Sequence, residues 1–189
     1  WDLLSGVFLA GSFGIWLLSR QPFAKFTISY LGFGNDHVPS VIAELDQQGR
    51  RFTLIGTHPL PPKTSYYARL RNQQLQKLST VVKQHRAQPV IVAGDLNTPP
   101  WSPFFRDLLH STGLCDSRRG FGIQSTWPAG LFWLWTPIDH CLVSPDIAIK
   151  NRWIGPACGS DHYPVIVDFT LARRERLTRP ESGRSSADN

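Results

Sequence analysis

The chain contains no methionine, has only three cysteines, and lacks any long uninterrupted apolar run. Cys115, Cys141 and Cys158 are odd in number and show no C-x-x-C spacing, which argues against a disulfide framework or a zinc site; they are predicted to be buried thiols. A chain that opens on Trp1 rather than methionine reads as cut, processed or partly captured. Residues 3–18 are apolar but are interrupted by Gly6, Gly11 and Gly14 and have no basic flank before them. A membrane-spanning helix needs about 20 apolar residues, and a signal peptide needs a charged start and a cleavage site. The stretch Phe13 to Leu18 is therefore predicted to be a buried strand. Cytoplasmic placement is favoured, with a membrane tether upstream of Trp1 left open. No G-x-S-x-G is present, and Ser160 stands only two residues from His162, so a serine-hydrolase arrangement is excluded. There is no tandem repeat of short period.

What remains is an ordinary globular composition, 41% apolar and 18% charged over 189 residues, enough for one domain with a sizeable core. The net charge of +6 suits an anionic partner such as nucleic acid, a phospholipid head group or a phosphate ester; a merely soluble basic surface explains it equally well. Part of the excess lies in Arg173, Arg174, Arg176, Arg179 and Arg184. Residues 1–172 are assigned to the domain and residues 173–189 to a disordered basic tail.

Along the chain, Val38 to Leu45 and Arg51 to Thr57 read as strands of a hairpin closed by Asp46-Gln47-Gln48-Gly49-Arg50. The second strand delivers His58. Pro59, Pro61 and Pro62 then forbid regular structure. Leu75, Leu78 and Val82 give a helix over Ser65 to His85 a thin apolar stripe. Val90 to Ala93 is a continuous apolar run, as expected of a strand covered on both faces. A short helix follows, with Trp101, Phe104, Phe105, Leu108 and Leu109 as its core stripe. Gly113 to Gly130 is loop-rich. Strands are predicted over Ile138 to Ser144, Asp146 to Trp153 and Tyr163 to Leu171. Tyr66, Tyr67, Phe132, Trp133 and Trp135 fall on loops near the strand ends; core packing is their commoner fate, against stacking on bases or entering a membrane.

The most informative residues lie at the ends of these strands: Gly94-Asp95-Leu96-Asn97, Ile138-Asp139-His140 and Gly159-Ser160-Asp161-His162-Tyr163-Pro164. Strand ends are where an α/β scaffold presents polar groups to a ligand. Imidazole can take or give a proton near neutral pH, a carboxylate can hold the ring in one tautomer, and carboxylate and carboxamide oxygens suit a hard cation. Taken singly, each residue has a plainer explanation: Asp95 could cap the following helix, His58 could be a loop residue, and His140 points to the opposite sheet face from Asp139, which makes it structural or a support behind the site residues. The ordered set is harder to explain in that way.

This set resembles the endonuclease/exonuclease/phosphatase superfamily, through Gly14-Ile15-Trp16-Leu17-Leu18-Ser19-Arg20-Gln21-Pro22, Gly56-Thr57-His58, Gly94-Asp95-Leu96-Asn97, Ile138-Asp139-His140-Cys141-Leu142-Val143-Ser144 and Gly159-Ser160-Asp161-His162-Tyr163-Pro164-Val165, with Trp127-Pro128 ahead of the Asp139 strand. The resemblance implies a four-layered α/β sandwich with two central, mostly antiparallel sheets. It implies His162 as general base or proton shuttle, Asp139 as its orienting partner, Asp95 and Asn97 orienting the nucleophile and steadying the phosphoryl group, and His58 donating to a phosphate oxygen. Arg20 joins Asn97 and His58 in binding substrate, and Asp161 and Asp95 are the metal side, for Mg²⁺ or Mn²⁺. Of Asp95 and His162, the latter is preferred as the base, because Asp139 raises its basicity. The implied activity is metal-dependent phosphodiester hydrolysis by a monomer, with nucleic acid the favoured substrate. Lipid or inositol phosphates, with membrane contact, come second, and a binding module that has lost catalysis third. The family pattern also places a strand with an Asn and a strand with a metal-binding Glu before Gly14. Only 13 residues stand there, none fits, and Glu44 lies on a hairpin strand. The expectation is a domain lacking its first strands, with a weak metal site and little activity.

Overall fold

The computed structural model describes residues 5–9, 14–32, 38–130, 133 and 136–172. In chain order these form β1 (Ser5–Leu9), β2 (Ile15–Ser19), β3 (Lys25–Leu31), β4 (Val38–Gln47), β5 (Arg50–Thr57), α1 (Ser65–Gln84), β6 (Val90–Asp95), α2 (Pro103–Thr112), β7 (Cys115–Asp116), β8 (Asp139–Val143), β9 (Ile147–Ile154) and β10 (Val165–Leu171). A six-stranded central sheet runs β3-β4-β5-β6-β8-β7, and two antiparallel ladders, β1-β2 and β9-β10, stand beside it. Within the central sheet only β5 and β6 are parallel. That pair needs a crossover, and α1 supplies it.

Strand alternation divides the core in two. Ile42, Ile55, Val92 and Leu142 face α1 and α2 and pack with Leu75, Leu78, Val82, Phe105 and Leu108. Ala43, Phe52, Ile91, Cys141 and Val143 face the other way, toward Ile147, Leu171, Leu17, Val167 and Phe169 of the ladders. The unbroken Val90–Ala93 run follows directly: alternate residues of β6 fill two cores. Both described helices lie on one side, so the described residues build three layers of the mixed α/β sandwich. No helix among them is long and apolar enough to cross a membrane.

Local chemistry sets the element ends. The β4–β5 turn holds Gln48 and Gly49 at φ 56° and 80°, the left-handed pair of a two-residue hairpin, and Asp46 Oδ1 accepts from Gly49 N–H at 2.6 Å. Thr64 caps α1 through its hydroxyl to Tyr67 N–H. Pro103 opens α2 and Gly113, at φ 70°, ends it, the usual placement of both residues.

Several sequence expectations are corrected. The predicted buried strand at Phe13 to Leu18 is β2, which is covered on one face only; Trp16 is 65% exposed and Leu18 56%, and Phe13 lies outside the described residues. Trp101 precedes α2 and is exposed, so the helix buries Phe105 and Leu108 without it. Tyr66 and Tyr67 sit in the first turn of α1 rather than on a loop and are exposed, as is Trp133. Phe132, Trp135 and the tail 173–189 lie outside the described residues. Of the thiols only Cys141 is buried; Cys115 is half-buried and Cys158 exposed. The loop after Gly113 includes the short β7, and β3 is an edge strand that the sequence reading left unassigned.

Candidate active site

The strand ends bring His58, Asp95, Asp139 and His162 into one chain of contacts. β6 carries Asp95 at its last position, opposite Asp139 at the first position of β8. Both side chains share the ladder-facing side of the sheet with Ala93 and Cys141, by alternation. His162 Nδ1 lies 2.7 Å from Asp139 Oδ2. Its other nitrogen, Nε2, is 3.8 Å from Asp95 Oδ2. His58 Nε2 lies 3.5 Å from the same Asp95 oxygen. Both of these latter distances exceed a direct hydrogen bond, so the two imidazoles flank the carboxylate without closing on it. Asp95 Oδ1 is already engaged, accepting from Asn97 N–H at 2.7 Å. This Asx turn replaces the helix-capping role considered for Asp95, since the cap residue of α2 is Ser102.

Polar residues of α1 hold the loops that present this chain, which explains why its apolar stripe is thin. Gln74 is fully buried and accepts from Leu60 N–H at 2.9 Å, fixing the proline-rich connector after His58. The Arg71 guanidinium donates to the Asn97 carbonyl, and burial lowers its pKa. Asn97 adopts φ 48°, a conformation Asn tolerates better than most residues. Its Nδ2 donates to the Pro59 carbonyl at 2.9 Å, so the carboxamide ties two site loops together.

On the other flank Thr126 is fully buried, and its Oγ1 accepts from the N–H groups of Ile138 and Asp139 at 3.2 Å each. Its carbonyl accepts from Tyr163 N–H at 2.8 Å. Ser160 Oγ accepts from His162 N–H at 3.1 Å, a turn that aims the ring inward. Trp127 lies 6.4 Å from the His162 ring, centroid to centroid. Behind them Arg152, 3% exposed, donates to Ser117 Oγ and to Gln124 Oε1. Gln124 Nε2 donates back to the Arg152 carbonyl at 2.9 Å. Thr126, Gln124, Ser117 and Arg152 were missed by sequence reasoning. The side-chain hydrogen bonds that link them to the site span 12 to 35 residues, and no local motif marks the link.

Electrostatics raise the pKa of both members of the pair. Burial raises the Asp139 pKa, as does the charge of Asp95, while hydrogen bonds from Thr126 and His162 oppose the shift. Burial alone would lower His162, but the hydrogen bond and charge of Asp139, with the charges of Asp95 and Asp161, outweigh it and raise its pKa. Asp161 acts here only at a distance. Its side chain is exposed and falls outside the one described group of acidic and imidazole side chains close enough to share a cation, which is Asp95, Asp139 and His162. Of the expected Asp161–Asp95 metal side, only Asp95 belongs to that group, beside Asp139 and His162. Two carboxylates suit a hard divalent ion that keeps several waters. Arg20 is exposed, one residue beyond β2, and the site contacts described above do not involve it.

His140 faces the opposite side, as alternation requires. Its Nε2 lies 2.8 Å from the Thr98 carbonyl and its ring packs at 4.4 Å on Phe105. Burial lowers its pKa from 6.5 to about 4. A depressed folded pKa gives stability that is complete above the unfolded value and is lost as pH falls through the folded one. The displacement from 6.5 to about 4 corresponds to about 3 kcal/mol lost across that window. Urea unfolding of His140→Gln is expected to show a correspondingly flatter stability profile between those pH values; an unchanged profile would assign the acid sensitivity elsewhere.

A family model described as Endonuclease/Exonuclease/phosphatase family matches residues 6–162, which takes in every residue of the contact chain. The chain belongs to this family. It is 30% identical over 102 residues to a UPF0294 protein of Vibrio parahaemolyticus, covering 52% of this chain and 33% of that protein. It is 27% identical over 143 residues to a phospholipase C of Staphylococcus aureus, covering 67% of this chain and 43% of that enzyme. The chain thus spans less than half the length of these relatives. An endonuclease/exonuclease/phosphatase from Bacteroides vulgatus has the same fold, with a TM-score of 0.71 at 14% identity, over 90% of this chain and 77% of that one.

Proposed function

We propose that this chain hydrolyses phosphodiesters with the help of a divalent cation, Mg²⁺ or Mn²⁺, and that its preferred substrate is a nucleic acid strand. The observation that carries the reading is the continuous contact chain from His58 through Asp95 and His162 to Asp139. Asp139 fixes the His162 tautomer by accepting at Nδ1, which leaves Nε2 facing Asp95 and the open side of the site. There it takes the proton of an attacking water. His58, with a half-exposed ring beside the same carboxylate, donates to a phosphoryl oxygen and offsets the charge that grows on it. Asp95 and Asp139 would hold the cation, which supplies charge stabilisation at the phosphoryl group. Because Asp139 also serves His162, the ion has few uncommitted ligands, and weak metal binding is expected.

The positive charge of the whole chain favours a polyanion. One observation favours a second reading, a lipid phosphodiester: Trp127 beside His162 and the exposed Trp133 would suit an interface, and the staphylococcal relative is a phospholipase C.

The test is a panel of bis(p-nitrophenyl) phosphate, plasmid DNA and sphingomyelin vesicles, each with Mg²⁺, with Mn²⁺ and with EDTA. Hydrolysis that stops with EDTA and is absent in His162→Ala supports the proposal. Turnover insensitive to EDTA, or no turnover of any diester at millimolar metal, overturns it. Steep loss of DNA binding with salt against activity that rises only on vesicles decides between the two substrates.

A further inference from the structure

No Asp or Glu occurs between Asp46 and Asp95, whereas eight Lys or Arg do. Four of the eight have partners. Arg50 donates to the Leu171 carbonyl, Arg71 to the Asn97 carbonyl, and Arg86 to the Ser111 and Thr112 carbonyls. Arg51 lies 3.9 Å from Asp46. The other four are Lys63, Arg69, Lys77 and Lys83. All are exposed, and none is in an ion pair among the described residues. Lys63 stands just before α1, and the other three lie on it.

These cations form a row. At 3.6 residues per turn, Arg69, Lys77 and Lys83 fall within about a third of the helix circumference, opposite the buried Leu75, Leu78 and Val82. Exposed Gln73, Gln76 and Thr80 stand between them. The steps along the axis are about 12 and 9 Å, close to three phosphates of a nucleic acid strand at about 3.4 Å each. The N-terminal end of the row adjoins the site, because Gln74 of α1 holds the connector that follows His58. Tyr66 and Tyr67 are exposed at this end, and the Arg69 guanidinium lies 6.0 Å from the centre of the Tyr66 ring. The flanking acids are Asp107, in the groove between α1 and α2, and Glu44, the register partner of Lys25.

A membrane and a nucleic acid both carry the charge such a row attracts. A basic helix lies on a membrane by burying its apolar face there, but the apolar face of α1 is already packed in the core. Past Tyr67 its outer face has no exposed large apolar residue. A nucleic acid strand needs none, since it sets phosphates on cations and bases on aromatic rings.

We propose that the outer face of α1 is a track for a nucleic acid strand, which leaves the catalytic cluster past Tyr66 and Tyr67 and lays its phosphates along Arg69, Lys77 and Lys83. The inference rests on the nucleic-acid reading of the substrate and adds the path the strand takes outside the site.

The test measures binding of a labelled single-stranded DNA, longer than α1, to the full chain in EDTA over a range of KCl concentrations. Lys77→Gln/Lys83→Gln is expected to flatten the slope of log K against log[salt] by about 1.4, at about 0.7 for each lost phosphate contact, and to weaken binding on the order of tenfold. Glutamine keeps the helix propensity of lysine. The control Arg119→Gln/Lys150→Gln removes the same charge from exposed positions off α1 and should leave the slope unchanged. Equal flattening in both variants overturns the proposal, because charge then acts by number and not by place. So does an unchanged slope in the α1 variant, or a parent chain that binds no DNA. Lost binding to phosphatidylserine vesicles with DNA binding intact would make the face a membrane contact and would equally overturn it. Turnover of bis(p-nitrophenyl) phosphate should be the same in the α1 variant and the parent; a matching fall would place the effect in the fold and count against the track. A parent that binds DNA through α1 but cleaves no diester refutes the catalytic reading and supports the track. Cleavage of the diester with a slope indifferent to α1 does the reverse.

Discussion

His162→Ala is expected to lower kcat/KM for a simple phosphodiester by on the order of 10³, within the range that a positioned acid–base group typically contributes. Asp139→Asn should cost about as much, up to on the order of 10⁴, because an amide in place of the carboxylate favours the wrong imidazole tautomer. The two changes should not add, since each disables the same unit. The 2.7 Å contact between Asp139 and His162 is the basis of this expectation. A double variant that falls well below either single one would show that the residues act separately.

The pH profile carries the finer test. A general base must be neutral, and the Asp139, Asp95 and Asp161 charges raise the His162 pKa from 6.5. The acid limb of kcat/KM should therefore lie above that value. Asp139→Asn removes the leading raising influence, so the limb should move to lower pH even as the plateau falls. A limb that stays in place in Asp139→Asn would remove His162 as the titrating base. The same shift acts on folding: a raised folded pKa gives stability that is present below the unfolded value and lost as pH rises through the folded one. The His162–Asp139 pair thus supports the fold less at alkaline pH. Under the proposed mechanism, the neutral form that would accept the proton is the form that stabilises the fold least.

What could be read from the sequence was what depends on local period. Alternation in β8 placed His140 in the helix-side core and Asp139 on the site side, and the hairpin, α1 and β6 followed from turn residues and apolar spacing. What could not be read depends on partners far along the chain. The Asp161 carboxylate neighbours His162 in sequence, yet the Ser160 turn that aims the ring inward leaves Asp161 exposed. The Arg152–Gln124–Ser117 cluster steadies the loop that ends in Thr126, and none of its members stands in a motif. Trp101, Tyr66 and Tyr67 were assigned by hydrophobicity, but each sits just before or within the first turn of a helix. These three fall on the solvent side of their helix starts, whereas Phe105, also in the first turn of α2, falls on the core side and is buried.

Gly94→Ala is expected to be the most disruptive single change near the site, although it removes no chemical group. Gly94 adopts φ +145°, and a Cβ there would stand 1.9 Å from the Thr57 carbonyl oxygen. No rotamer relieves that contact, because it lies between two backbones. The ends of β5 and β6 must part, and they carry His58 and Asp95. A cost of about 3 kcal/mol or more in stability follows from strain combined with overlap. In molecules that still fold, widening the 3.5 Å approach of His58 to Asp95 by about 1 Å would lower turnover by on the order of 10²-fold. Gly49→Ala is the control, since Gly49 also has positive φ, at +80°, but nothing lies within 4 Å of its Cβ position. It should lose only about 1 kcal/mol and leave the rate unchanged. If urea unfolding places the two variants at the same midpoint, with both fully active, the close approach of β5 and β6 does not set the geometry of the site.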